Sequence, residues 1–219
     1  MNKKAYILFT RIPTVGKVKT RLAKTLGDQF ATEVQAVMLE DLYQHFSDLS
    51  KSGIDLFIAY SDEQAPEAFL KQLPPSSHSF LQSGKTIGER MWRAMNHVFA
   101  LGYEKVILTG SDLPELSKEL IEQAFKQLKE VVIGPSKDGG YYLIGSCRNV
   151  DLKPIFLSDL QWGRNSVLAE TLLLLKNYQV SQVEALQDID EEKDLREVSR
   201  SLSKASQLKK WLVENGENK

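Results

Sequence analysis

The chain has 219 residues, 42% hydrophobic and 26% charged, with a formal net charge of -1. That length suits one large α/β domain with a full core, spanning residues 1–219, and a near-neutral surface gives no overall attraction for nucleic acid. A single cysteine, Cys147, excludes an internal disulfide framework or a cysteine zinc site and agrees with a reducing, cytoplasmic setting.

Two lysines stand within the first four residues, but the apolar run over residues 5–9 is cut off by Arg11 and Pro13. It is too short for a signal-peptide core or a membrane span, and is predicted as a buried parallel strand over 5–10. A loop over 11–17 leads to a short helix over 19–26, with Gly27 at its C-terminal end. Asp28 can cap a long helix to about residue 49, because Phe30, Val34, Val37, Met38, Leu42 and Phe46 recur at helical spacing.

Further strands are predicted over 54–60, 80–82, 105–109, 130–134, 141–145 and 180–186. Helices are predicted over 66–73, 86–101, 117–129, 164–177, 191–201 and 204–214, and residues 215–219 as a frayed end. Strands and helices alternate, so the expected fold is a three-layer α/β/α domain with a mainly parallel sheet.

Ligands of such sheets bind beyond the carboxyl ends of the strands. The segment after the first strand holds four cations within eleven residues, Arg11, Lys17, Lys19 and Arg21, with Gly16 among them and a helix starting inside the run. Cations at a helix N-terminus suit phosphate, and Gly16 permits close backbone approach; a solvated basic turn is the plainer alternative. After the central strand, Asp112 in the sequence SDLP suits Mg²⁺ or orders its own turn before Pro114. Asp138-Gly139-Gly140 is a hairpin turn by composition, and Asp188-Ile189-Asp190 either shares a cation or caps the next helix.

Other features lead away from chemistry. Gly84-Lys85-Thr86 imitates the end of a phosphate loop, but Ser79 stands where that motif needs glycine. His45, His78 and His97 are scattered, Cys147 has no basic partner nearby, and no nucleophile constellation is visible. Trp162 suits either ring stacking or packing.

Six segments in order, FTRIPTVGKVKTRLAKTLG, GKTIGERM, LTGSDLPELS, VIGPSKDGGYYLIG, QWGRNSVLAETL and DIDEEKDL, together resemble the glycosyltransferase-A-like bacterial proteins known as radical-SAM/selenodomain-associated transferases. The pattern is more distantly similar to phospholactate and molybdenum-cofactor guanylyltransferases. The resemblance implies the nucleotide-diphospho-sugar transferase (GT-A, Rossmann-like) fold and a nucleotide over the first strands. It implies that Lys17, Lys19 and Arg21 lie near the phosphates and that Asp112, with Asp188 or Asp190, holds Mg²⁺ or Mn²⁺. Arg11, Gly16 and Arg90 are then expected on the nucleotide side, and Asp138, Gly139 and Gly140 on the acceptor side. The chain departs from sugar nucleotidyltransferases in lacking a multi-glycine loop, and from metal-dependent glycosyltransferases in carrying Ser111-Asp112-Leu113 rather than D-x-D after the central strand. Both departures favour metal-assisted nucleotidyl transfer from a triphosphate to a small acceptor over glycosyl transfer; a non-catalytic nucleotide-binding protein is the further alternative, and no nucleic-acid partner or membrane span is expected. Base, acceptor and oligomeric state stay open.

Overall fold

Alternation along each apolar strand decides how the layers stack. In β1 (Lys4–Thr10) the side chains of Tyr6 and Leu8 enter one core while Ala5 and Ile7 enter another. The same division recurs in β2 (Ile54–Tyr60), where Leu56 and Ile58 oppose Phe57 and Ala59. Strands buried on both faces need helices on both faces, and that requirement produces the three layers.

The computed structural model describes residues 3–61 and 64–215. Its remaining strands are β3 (His78–Leu81), β4 (Lys105–Thr109), β5 (Val131–Pro135), β6 (Tyr141–Cys147) and β7 (Val180–Gln182). They form a seven-stranded sheet in the order β3-β2-β1-β4-β6-β5-β7. All pairings are parallel except those of β6, which runs antiparallel to both β4 and β5.

On one face lie α2 (Asp28–Phe46) and α5 (Lys118–Gln127); on the other lie α4 (Ile87–Ala100), α6 (Lys153–Phe156) and α7 (Val167–Leu174). A third core, around Leu22, Val34, Met38, Ile189, Leu195 and Leu208, joins α2 to α1 (Thr20–Leu26), α8 (Glu192–Ser201) and α9 (Gln207–Asn215). The small helix α3 (Glu67–Leu70) leads into β3. Among the described residues no helix is long and apolar enough to cross a membrane.

Several boundaries differ from the sequence expectations. Asp28 is the first residue of α2 and not its cap; Gly27, at φ 86°, takes that place and also ends α1 through its N–H to the Ala23 carbonyl. The long helix stops at Phe46, and a 3-10 turn over Leu49–Ser52 completes the connection. The last strand pairs only to Gln182, after which a single bridge joins Leu186 to Ser136. The helix α7 is shorter than the expected 164–177, since residues 161–166 form the loop that seats Trp162. Helix α6 has four residues, too few to show a helical period. Of the segment expected to fray, 216–219 lie outside the described residues.

Asp41 anchors the C-terminal helix. Buried on α2, its carboxylate accepts hydrogen bonds from the Ser206 hydroxyl (2.7 Å) and the N–H groups of Gln207 (2.7 Å) and Leu208 (3.0 Å). An anion at a helix N-terminus satisfies free donors and the positive dipole end together. Asp41→Ala is expected to cost about 2 kcal/mol, the usual scale for buried charge-assisted hydrogen bonds. Denaturant unfolding measures this, and hydrogen exchange in α9 should rise more than in the sheet.

Candidate active site at the sheet switch point

From β1 the chain moves outward through β2 to β3, then returns to β4 on the other side of β1. The two sets of connections diverge there, and a crevice opens above the carboxyl ends of β1 and β4. The floor of the crevice is polar and internally satisfied. The Thr10 and Ser111 hydroxyls are 2.9 Å apart, and the buried Gln35 amide donates to Ser111 Oγ at 3.1 Å. Beneath them Tyr6 OH meets Thr109 Oγ1 at 2.7 Å. Gln82 donates to the carbonyls of Thr10 (2.7 Å) and Ala59 (2.9 Å), tying the end of β1 to β2.

The basic loop leaves β1 and enters α1 through a turn in which the Lys17 N–H reaches the Thr14 carbonyl at 2.9 Å. Lys19 has φ 48° and ψ 40°, the one non-glycine residue of positive φ among the described residues. A left-handed lysine is held at a cost of about 1 kcal/mol or more, so surrounding contacts must maintain it. Those contacts are clear. Its side chain is 2% exposed, its ammonium forms an ion pair with Asp112 Oδ1, and it donates to the Ile189 carbonyl at 2.5 Å. Arg21, one turn on, pairs with Asp190 Oδ2 at 3.0 Å from a side chain that is 58% exposed.

Asp188 and Asp190 face the same way for a packing reason. Ile189 between them is fully buried in the third core, beside Leu22 and Leu195. In extended chain its two neighbours then point opposite to it, and both line the crevice. The Ile189 N–H also donates to the Asp112 carbonyl at 2.9 Å, so the late segment and the end of β4 are joined through backbone. Asp190 is not the cap of α8; Glu191 occupies that position, and Asp194 Oδ2 accepts from the N–H groups of Glu191 (2.8 Å) and Asp190 (3.2 Å). Burial first, then the charges of Asp190, Asp138 and Asp112, push the Asp188 carboxyl up to about 6. The Asp190 carboxyl is raised by burial and by Asp112, while Lys19 and Arg21 oppose that shift.

The resulting cavity is about 490 Å³, within the range of small-molecule sites. One wall carries Arg11, Lys19, Arg21, Asp112, Asp138, Asp188 and Asp190; the other is apolar, with Phe9, Ile87, Met91, Leu108, Ile144 and Trp162. Lys17 and Gly16 lie off this wall, on the exposed part of the loop. Arg90 is also off it: its Nε donates to the Gly84 carbonyl at 3.0 Å, while Ile87 and Met91 of the same helix line the cavity. The segment Gly84-Lys85-Thr86 is a helix start, with Thr86 accepting from the Glu89 N–H.

Asp138 orders its own turn by accepting from the Gly140 N–H at 2.9 Å and from the Ser136 hydroxyl, and it reaches the cavity as well. Gly139 and Gly140 shape the turn without lining the cavity. Trp162 is both wall and anchor. It stacks on Phe156 with centroids 6.2 Å apart and meets Tyr141 edge-on at 6.1 Å. Sequence reasoning gave no role to Thr10, Ser111, Gln35, Ile87 or Met91; a glutamine beside Val34 on an apolar helix face was the one available signal.

Among the described residues no three His, Cys, Asp or Glu side chains stand close enough to enclose a metal ion. The donor type nonetheless suits one. Asp112, Asp188 and Asp190 are hard oxygen ligands on one cavity, and their mutual repulsion is the field a divalent cation relieves.

Gly139 has φ 92°, and a Cβ there would lie 2.2 Å from the Asn165 carbonyl oxygen. Gly139→Ala should therefore destabilise the fold by about 2 kcal/mol or more and displace the 160s loop. Gly140→Ala, whose nearest neighbour is Ser136 Oγ at 3.1 Å, should cost less. Thermal unfolding of the two variants checks the order.

A family model described as "Uncharacterized protein conserved in bacteria (DUF2064)" matches residues 47–164. Among solved structures, a protein of Desulfovibrio desulfuricans G20 assigned to the nucleotide-diphospho-sugar transferases is 33% identical, with TM-score 0.85, covering 94% of this chain and 90% of that one. A cytidylyltransferase from Leptospira borgpetersenii serovar Hardjo-bovis is 11% identical at TM-score 0.60, with 99% and 96% covered. The manganese complex of Rv0371c from Mycobacterium tuberculosis H37Rv is 14% identical at TM-score 0.52, with 91% and 100% covered. These last two share the fold alone. No curated protein matches the sequence. The fold is that of the nucleotide-diphospho-sugar transferases, as the resemblance implied.

Proposed function

The chain belongs to the DUF2064 family of bacterial proteins, and we propose that it is a transferase acting on nucleotide substrates. The specific reading is nucleotidyl transfer from a nucleoside triphosphate to a small phosphorylated or hydroxyl acceptor, with release of pyrophosphate. One observation carries it: Lys19, Arg21, Asp112, Asp188 and Asp190, from three separate segments, border one cavity at the β1–β4 switch point. The resemblance to the radical-SAM/selenodomain-associated transferases is part of this reading.

In the reaction an acceptor oxygen attacks the α-phosphorus, and the bond to the bridging oxygen breaks as pyrophosphate departs with its electron pair. Asp112, with Asp188 or Asp190, would hold Mg²⁺ or Mn²⁺, which would supply Lewis-acid neutralisation of phosphate charge. Arg21 is the cation of the basic loop best placed for phosphate, because its guanidinium is largely exposed and offers donors beyond the one used on Asp190. Arg11 lines the same wall, and Lys17 stays on the exposed rim. The apolar wall around Trp162 and Met91 limits water and gives a ring a surface to rest on. Positioning and electrostatics suffice for such chemistry, so no enzyme nucleophile is required.

A second reading, glycosyl transfer from a nucleotide sugar, is favoured by the assignment of the 33% identical relative. Products decide between them: pyrophosphate from a triphosphate supports the first, a nucleoside diphosphate from a nucleotide sugar the second. A thermal-shift screen of both ligand classes with Mg²⁺ and Mn²⁺ identifies the nucleotide.

Asp112→Asn is expected to abolish turnover with an unchanged fold, and full activity in that variant, followed by product release, overturns the assignment. Arg21→Ala should weaken triphosphate binding by about tenfold or more, the scale of one charge-assisted contact. It should leave stability nearly unchanged, because the exposed pair with Asp190 contributes little. Calorimetric titration and thermal unfolding separate the two effects.

A further inference from the structure

We propose that the Lys19 ammonium is a built-in counter-cation of this site, one that positions Asp112 and releases it when a divalent cation binds. The proposal rests on the metal reading above and goes beyond it, giving Lys19 a positioning role in place of the phosphate contact implied by its motif. Three observations carry it.

First, the ammonium is already spent. It is paired with Asp112 Oδ1 and donates to the Ile189 carbonyl, and its side chain is 2% exposed. A lysine free to meet phosphate would not already be held by two protein acceptors. Second, the backbone is bent to deliver it. Lys19 adopts a left-handed conformation at the last residue before α1, a costly geometry for lysine, and from it the side chain reaches Asp112 and the Ile189 carbonyl. Third, its partners belong to the two segments that carry the carboxylates. Asp112 follows β4 and Ile189 sits between Asp188 and Asp190, so one positive charge lies where three negative ones converge. Such a charge lowers the cost of gathering carboxylates before any ligand arrives. A cation that takes Asp112 Oδ1 competes with it directly.

The test is Mn²⁺ binding to the full chain without nucleotide, followed by the electron paramagnetic resonance signal of free Mn²⁺. Lys19→Met keeps the apolar stem and removes the charge. It should bind Mn²⁺ about tenfold tighter than the unsubstituted chain, the low end of what one adjacent charge does to a carboxylate. Equal or weaker binding by a folded Lys19→Met overturns the proposal, since a merely structural lysine does not restrain the metal. A second measurement needs no substitution. Amine acylation of the native protein should leave Lys19 protected, and added Mn²⁺ should make it reactive. Mn²⁺ binding with Lys19 still protected overturns the proposal and spares the metal reading; absence of Mn²⁺ binding to either chain overturns both.

Discussion

The contact on which the rest of the site depends is the junction of Lys19, Asp112 and Ile189. Three segments far apart in sequence meet there: the loop after β1, the end of β4 and the stretch before α8. Each arrives for its own reason. Apolar strands place the first two side by side, and the burial of Ile189 in the third core fixes the last. The ammonium and the backbone hydrogen bond then close the junction, and Asp188, Asp190 and Arg21 take their positions from it.

The third core gives this junction its stiffness. Leu22 of α1, Met38 of α2, Leu195 of α8 and Leu208 of α9 pack with Ile189, and Asp41 pins the start of α9 from below. The C-terminal helices therefore act as a brace on the outer side of the basic loop. The brace holds Ile189, one of the two partners whose contacts offset the cost of the left-handed backbone at Lys19.

The cavity joins two environments that a nucleotide or its acceptor needs together. Its charged wall gathers four carboxylates and three cations, while its apolar wall is continuous with the core between α4 and the sheet. Burial first, and then the neighbouring carboxylates, push the Asp188 carboxyl up, and a cation that shares their field opposes that shift. Lysine, arginine and a divalent ion are alternative ways to supply that charge, and the site holds the first two within its own chain.

Much of this was legible in the residues. Apolar runs bounded by turns specify β1, β2, β4 and the β5–β6 hairpin, and the charged segments after strands point to the correct edge of the sheet. The short elements were not legible, because four residues of α6 or three of β7 show no period and owe their form to neighbours. Sequence alone determined that Lys19, Asp112 and the D-x-D lie in segments that follow strands, and that Asp138-Gly139-Gly140 turns a hairpin. Only the tertiary structure decided that the Lys19 charge is consumed internally, that Arg90 turns away from the cavity, and that Asp190 faces it instead of capping a helix. Local chemistry sets which backbone shapes a residue favours, whereas the partner of a long charged side chain depends on which distant segments packing brings within its reach.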